Sequence, residues 1–581
     1  MMGERKCMSF KRRAFFYFFL LFLVFFAASC ATVKPGLPVK KEKDFIPAGS
    51  TSHSYYHFLL GQLYQHSGNL DRAMESYRQA LGKGEKSAFL HTQLATLYLK
   101  KGQPEKALQE SEEAIRVNPR HLPAYILLGG LYLSQNQREK AIQVYQRVIQ
   151  IDPQNQEAHL FLGTLYAESK NYENALPHFK TLIEIDSRSL MGHYYLARVY
   201  AEMKRFSEAR SHYLSALEIK PNFEPALLDL ALVYEIQKEF EKAIQIYQDL
   251  LKQNPSHAEA HHRLGQVYIR QNKLGEALTE FQTVDQLTIH NHEVRAKIGL
   301  IYFEQGRLEE AIAQFSLVLS AQPENDRVRY YLATAYEESK DLEQALVEFQ
   351  RIPPASAFYV DSQVHLAYLF EKQNKIPEAI QVLQKAIQTK PEQADFYRFL
   401  ASLHEKSNQY EEGIRILKKG LEVAPKDEKL LFTLGVFYDK AGDWQEGIRQ
   451  MRRVLEINPD HAQALNYIGY TYAEKEIFLD EAETLVKRAL ELKPDDGYIT
   501  DSLGWVYFRK GQMDKAIVEL EKAHKLAPED PVIAEHLGDV YLKNQQDDKA
   551  VQMYERSLQL DPKKTEVAEK LKKLRREKKK P

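Results

Sequence analysis

The chain has 581 residues, 44% hydrophobic, 27% charged and 11% aromatic, which is enough for a large buried core. Lys+Arg 79 against Asp+Glu 80 leaves a net charge of −1, which excludes nucleic-acid binding driven by bulk positive charge. Gly 26 and Pro 23 exclude a collagen-like or disordered chain, and Cys 2 excludes a disulfide scaffold or a cysteine-rich metal module.

Residues 1–13 carry Arg5, Lys6, Lys11, Arg12 and Arg13 against one acid, Glu4. An uncharged apolar run follows over 14–29, shorter than the roughly 20 residues a spanning helix needs. A basic start, a short apolar run and small residues at its end predict a secretory signal over 1–29. Ala27-Ala28-Ser29-Cys30 resembles a bacterial lipobox, with Ala27 where that family usually has Leu. The resemblance implies that Cys30 is lipidated and becomes the new N-terminus, and Ala31 in place of Asp implies the outer membrane. The alternative is an uncleaved signal anchor, which would still place the chain in the periplasm. Residues 30–53 have three prolines, two glycines and no apolar period, which predicts a flexible tether spanning roughly 25–30 Å.

From residue 54 a period of 34 takes over. Tyrosines recur at Tyr64, Tyr98, Tyr132, Tyr166, Tyr200, Tyr234, Tyr268, Tyr302 and Tyr336, and the column runs on to Tyr507 and Tyr541 after one step of 35. Three residues before each column position stands Gly or Ala (Gly61, Ala95, Gly129, Gly163). Nine residues after it stands Ala (Ala73, Ala107, Ala141, Ala175), with Gly413 and Gly447 as the two glycine exceptions. Small-then-aromatic at i, i+3 is one face of a first helix, and Ala with an aromatic four residues on (Ala73/Tyr77, Ala141/Tyr145) is one face of a second. Turn signals such as Gly68-Asn69 separate the two, and Asn-Pro or Asp-Pro closes most units.

This pattern is identified as the tetratricopeptide repeat, over fifteen units spanning 54–564. Units are expected to start near 54, 88, 122, 156, 190, 224, 258, 292, 326, 360, 394, 428, 462, 497 and 531. The resemblance implies an all-α fold: antiparallel helix pairs stacked into a right-handed superhelical solenoid. Val567, Leu571 and Leu574 amid charges predict a C-terminal capping helix, with a basic tail, over 565–581. Pro353-Pro354 must stop one second helix early, and an extra residue enters the turn near 475–480. With the helix-propensity cost of Gly413 and Gly447, these predict a softer segment around 350–450.

Motifs for chemistry are absent: no H-E-x-x-H, no G-x-S-x-G and no C-x-x-C, so no catalytic residue, metal ligand or cofactor is expected. His257, His261 and His262 read as packed or exposed side chains. The family usually binds protein segments along its first helices, and it implies groove-facing side chains there. The apolar candidates are Phe89, Ile126, Leu160, Leu228, Leu232, Ile269 and Phe303. Glu337 and Glu371 mark an acidic stretch, and Phe432, Tyr470, Trp505 and Phe508 an aromatic one. No unit carries the Lys/Asn pair of the chaperone-binding members.

Residues 464–520, with Gly469-Tyr470-Thr471, Leu479-Asp480-Glu481-Ala482 and the DSLGWVY run at 501–507, resemble large outer-membrane tetratricopeptide lipoproteins of proteobacteria. One member of that group is an adaptor that brings peptidoglycan hydrolases to a carboxyl-terminal processing protease. The resulting expectation is a non-catalytic scaffold in the bacterial cell envelope. It would face the periplasm on a lipid anchor and bind proteins, with no nucleic acid and no small-molecule substrate. The alternative is a structural subunit of an envelope polysaccharide or pilus export machine.

Overall fold

The computed structural model describes residues 52–82, 86–288 and 291–577. The signal, Cys30 and the tether lie outside the described residues. Among the described residues there are 31 α-helices and no strand, and no helix is long and apolar enough to cross a membrane. The chain divides into two compact units, residues to Ile246 and residues from Tyr247, with the boundary inside the helix Phe240–Gln253.

Each unit is a run of helix pairs, a first helix of mostly 13 residues and a second of mostly 14, such as Gln156–Glu168 with Tyr172–Ile185. Local chemistry sets the ends. The Ala158 N–H donates to Asn155 Oδ1 at 3.0 Å and so caps one first helix. Between the two helices one residue is left-handed: Gly68 (φ 77°) and Gly102 (φ 69°) in two turns, Lys170 and Lys204 (both φ 60°) in others. Glycine meets that geometry without strain, whereas lysine bears a cost of roughly 1–2 kcal/mol.

The tyrosine column sits at these turns. The Asn69 N–H donates to the Tyr64 carbonyl at 2.9 Å and the Asn171 N–H to the Tyr166 carbonyl at 2.8 Å, the long-range bond of a Schellman ending. The Tyr hydroxyls reach back twenty residues to the second helix of the preceding pair. Gln146 donates to Tyr166 at 3.0 Å in the first unit. In the second, Gln282 donates to Tyr302 at 3.0 Å and Arg452 to Tyr472 at 2.9 Å. Each column tyrosine thus closes its own turn through its carbonyl and ties adjacent pairs together through its hydroxyl.

The core lies between the helices of each pair. In the first unit Tyr77, Tyr145 and Phe179 are buried against Gly61, Gly129 and Gly163; in the second, Phe281, Phe315 and Tyr554 lie against Gly265, Gly299 and Gly538. A Cβ at Gly129 would come within 2.5 Å of the Tyr145 ring. The small column is therefore a socket for a ring.

The irregular places are packed. The helix Leu342–Gln350 has only 9 residues, and Ile352 and Ser356 are buried in the segment that follows it. Gly413 and Gly447 are not mere losses of helix propensity: a Cβ at Gly413 would meet the Phe437 ring at 2.1 Å, and one at Gly447 the Tyr467 hydroxyl at 2.6 Å. The long turn holds two left-handed residues, Glu476 (φ 54°) and Phe478 (φ 48°). At the C-terminal end Thr565–Glu577 packs on Asp547–Leu560 with Val567, Leu571 and Leu574 buried, while Lys570 reaches Glu535 (3.0 Å) and Asp539 (2.7 Å). The all-α repeat fold with a terminal capping helix is thus the fold observed.

Candidate functional site

Within each unit the first helices of neighbouring pairs lie side by side, as Ala88–Lys100 beside Leu122–Ser134 and Ala394–Lys406 beside Glu428–Lys440. Their shared side is the candidate binding face. Phe89, Ile126, Leu160, Leu228 and Leu232 are half-buried on it in the first unit. In the second unit Phe303 and Phe508 are half-buried and Ile269 is exposed.

The first unit also has a polar centre on this face. Arg198 lies over the rings of Tyr194 (5.7 Å) and Tyr195 (5.9 Å), with Asp229 at 3.8 Å. The Tyr194 hydroxyl donates to Asp229 at 3.1 Å. Burial opposes the guanidinium charge, but Tyr194 and Asp229 outweigh it and hold the Arg198 pKa above its usual value. Burial, reinforced by Asp229, pushes the Tyr194 hydroxyl up as well. Glu168, whose pKa burial raises against the pull of Arg138 and Arg198, stands 3.0 Å from Arg138.

The acids of the acidic stretch have partners. Glu337 meets His365 at 2.8 Å, Glu371 pairs with Lys406, and Glu405 pairs with Lys440. Each of these three acids meets a lysine or an imidazole from the next first helix, and Glu371 and Glu405 are neutralised by their lysines. The next part is aromatic: Phe432 stacks on His461 at 5.3 Å, and Tyr470 is half-buried, with its hydroxyl pKa raised by burial and by Glu474.

Trp505 is a correction. It is 4% exposed, its ring stacks on His536 at 3.9 Å and on Phe508 at 5.0 Å, and its Nε1–H donates to Glu474. It therefore packs neighbouring first helices together and presents no face to a ligand. Behind it His536 lies 3.0 Å from Asp501, both buried. Burial works against the imidazolium, but Asp501 outweighs it and raises the His536 pKa.

The histidines at 257–262 separate. His257 Nδ1 accepts the Ala260 N–H at 3.2 Å, a helix cap. His261 bridges Glu280 (2.5 Å) and the Pro255 carbonyl (2.9 Å). His262 has its pKa pushed down to about 4 by burial and by Lys297. His290 and the basic residues Lys578–Lys580 lie outside the described residues.

Sequence reasoning missed Arg198, Asp229, Asp501 and His536 as a class. Their signal is a spacing of 35, one repeat plus one residue: Tyr194/Asp229, Glu371/Lys406, Glu405/Lys440 and Asp501/His536. That spacing joins successive first helices, and complementary side chains at i and i+35 are visible once the period is known.

Tetratricopeptide repeat models match residues 98–165, 234–296, 302–368, 371–435 and 507–574, more than half of the chain. The chain belongs to the tetratricopeptide repeat family. Further tetratricopeptide repeat models match 54–82, 432–497 and 478–531, and a model of anaphase-promoting complex, cyclosome, subunit 3 matches 134–216. None of these is an enzyme family. No curated protein matches the chain. Among solved structures, a tetratricopeptide repeat protein from Parabacteroides merdae ATCC 43184 is similar at 18% identity, covering 43% of this chain and 98% of its own, with a TM-score of 0.33. The APC/C hetero-tetramer Cut9-Hcn1 is similar at 15% identity over 84% of this chain and 96% of its own, with a TM-score of 0.36. MamA from Desulfovibrio magneticus RS-1 is similar at 23% identity over 29% of this chain and 96% of its own, with a TM-score of 0.26. Tetratricopeptide repeats of this kind are protein-interaction scaffolds, and that is the class of this chain.

Proposed function

We propose that this scaffold works in the bacterial cell envelope. It is tethered through lipidated Cys30 to the outer membrane, and it gathers periplasmic proteins along its first helices. A processing protease and the peptidoglycan hydrolases it cleaves are the partners to test first. The reading rests on one observation: within each unit the side chains shared by neighbouring first helices are partly open, apolar and aromatic, and in the first unit they are interrupted by the half-buried Arg198–Asp229 centre. In the second unit half-buried Phe303 and Phe432, and in the first half-buried Ile126 and Leu160, offer apolar contacts to an extended or helical segment bound along that unit. Arg198, already partly desolvated, offers a guanidinium to an acidic group on that segment.

Photo-crosslinking in cells tests this. A photoreactive residue at Ile126, Leu160, Phe303 or Phe432 is expected to capture envelope proteins, a protease or hydrolase among them. The same residue at Leu317 or Val518, exposed on second helices, is expected to capture none. Equal capture from both sets would remove the first-helix face from the account. Recovery of polymer-export subunits alone would replace the protease reading. Cys30→Ser is expected to release the chain from membranes, and failure of labelled fatty acid to enter the wild type would end the lipoprotein reading.

A further inference from the structure

One slot recurs inside the helix pairs. The fourth residue of a first helix donates to the backbone carbonyl six residues earlier and meets a side chain nineteen residues later on the second helix. In three pairs that slot sets a basic side chain against a glutamate: His91 with Glu110 (2.7 Å), His261 with Glu280 (2.5 Å) and Arg329 with Glu348 (2.5 Å). In two consecutive pairs of the first unit it holds two histidines instead. His159 Nδ1 faces His178 Nδ1 at 3.0 Å, and His193 Nδ1 faces His212 Nδ1 at 3.1 Å.

The outer bonds fix the tautomers. His159 Nε2 is 3.0 Å from the Pro153 carbonyl, and His193 Nε2 is 3.2 Å from the Ser187 carbonyl. A carbonyl accepts only, so both Nε2 atoms carry the proton and both Nδ1 atoms present a lone pair. This is the arrangement by which proteins orient a metal-binding histidine, its far nitrogen donating to a carbonyl. The facing rings of His178 and His212 are half-buried and stack on Tyr166 (5.8 Å) and Tyr200 (5.7 Å). Each currently donates one Nδ1–H to its partner. Moving that proton to its own Nε2 through solvent turns a second lone pair inward with no change of charge.

We propose that each pair, His159/His178 and His193/His212, holds one divalent transition-metal ion through its two Nδ1 atoms. Imidazole nitrogens select zinc, copper or nickel over magnesium or calcium. Two nitrogens bound to zinc at about 2.0–2.1 Å in a tetrahedron stand about 3.3 Å apart, so each pair opens by a few tenths of an ångström while its rings turn to aim both lone pairs at the ion. Among the described residues no group of three or more ligating side chains surrounds either pair, so water completes the coordination. Burial, with His159 as the second cause, lowers the His178 pKa to about 4, and burial lowers that of His212, which favours the neutral imidazole in both. The bound ion would clamp first helix to second where other pairs use an ion pair.

The test uses the full chain, freed of metal and titrated with zinc sulfate at pH 7. His178→Gln and His212→Gln each keep an N–H donor for the partner imidazole. Each is expected to lose one bound zinc, and the double variant two. Zinc at a hundredfold excess over its Kd is expected to slow amide exchange up to about a hundredfold across 156–185 and 190–219 in the wild type. It should leave 326–350, which holds the Arg329/Glu348 slot, unchanged, and magnesium should do nothing. Equal zinc uptake by wild type and double variant would overturn the assignment. So would unchanged exchange across 156–219, a reading of the wild type that does not depend on how the variants fold.

Discussion

Gly163→Ala isolates the ring-in-socket packing that each helix pair depends on. The new Cβ would stand 2.6 Å from Phe179 Cε1, where ordinary contact begins at 3.4 Å, so the fully buried ring must retreat by about 0.8 Å. Overpacking of this kind costs about 1–3 kcal/mol, and replacing a mid-helix glycine returns about 1 kcal/mol. The expected net loss is about 1 kcal/mol. Phe179→Leu alone removes ring contacts and costs about 1–2 kcal/mol. Elsewhere the chain itself shows the relaxed combination: Ala367 with Leu383 and Ala401 with Leu417, all buried at the same two positions. The double variant Gly163→Ala/Phe179→Leu should therefore be more stable than the sum of the singles by about 1 kcal/mol or more. Repeat arrays do not unfold in one step, so the assay is native-state hydrogen exchange on 156–185. A stabilising Gly163→Ala, or additivity within about 0.5 kcal/mol, would refute the socket argument.

Two further outcomes concern protonation. His178 is neutral in the fold with a pKa near 4, whereas an unfolded histidine titrates near 6.5, so the unfolded chain binds more protons between those values. Its contribution is whole above pH 6.5 and is lost as pH falls toward 4, by about 1 kcal/mol once solvent screening at this half-exposed ring is allowed for. In metal-free protein, exchange protection of 172–185, corrected for intrinsic rates, should fall over that range, and an unchanged slope in His178→Gln would contradict the assignment. His536 has the opposite sign: its raised pKa gives a contribution that is whole below pH 6.5 and is lost as pH rises through the folded value. Asp501→Asn strands that buried charge and should cost about 3 kcal/mol near pH 6, read as exchange in 497–509, and less once pH exceeds the folded value. Equal penalties below and above that value would show that the pair is not ionic.

The repeat architecture was legible because a period of 34 leaves columns, and a column of one residue type needs one recurring environment. Gly129, Gly163, Tyr166 and Tyr302 all announce helix pairs without any coordinates. The binding face was less legible. Its candidates came from position within the repeat, and position does not say whether a side chain meets solvent or the next helix. Trp505 occupies such a position and is buried because His536, from the following repeat, stacks on it. The acidic stretch misled for the same reason: Glu371 and Glu405 are counted along the chain, but Lys406 and Lys440 neutralise them across it.

By itself the sequence determined the all-α class, the pairing of helices and the ends of most of them, since capping, turn geometry and apolar period are local properties. Only the tertiary structure decided why the columns exist. The tyrosine hydroxyl bonds a helix twenty residues back, the glycine seats a ring from sixteen residues on, and two histidine pairs face each other nineteen residues apart. Those are distances between elements, set by how closely side-chain volumes let helices approach, and no local propensity encodes them.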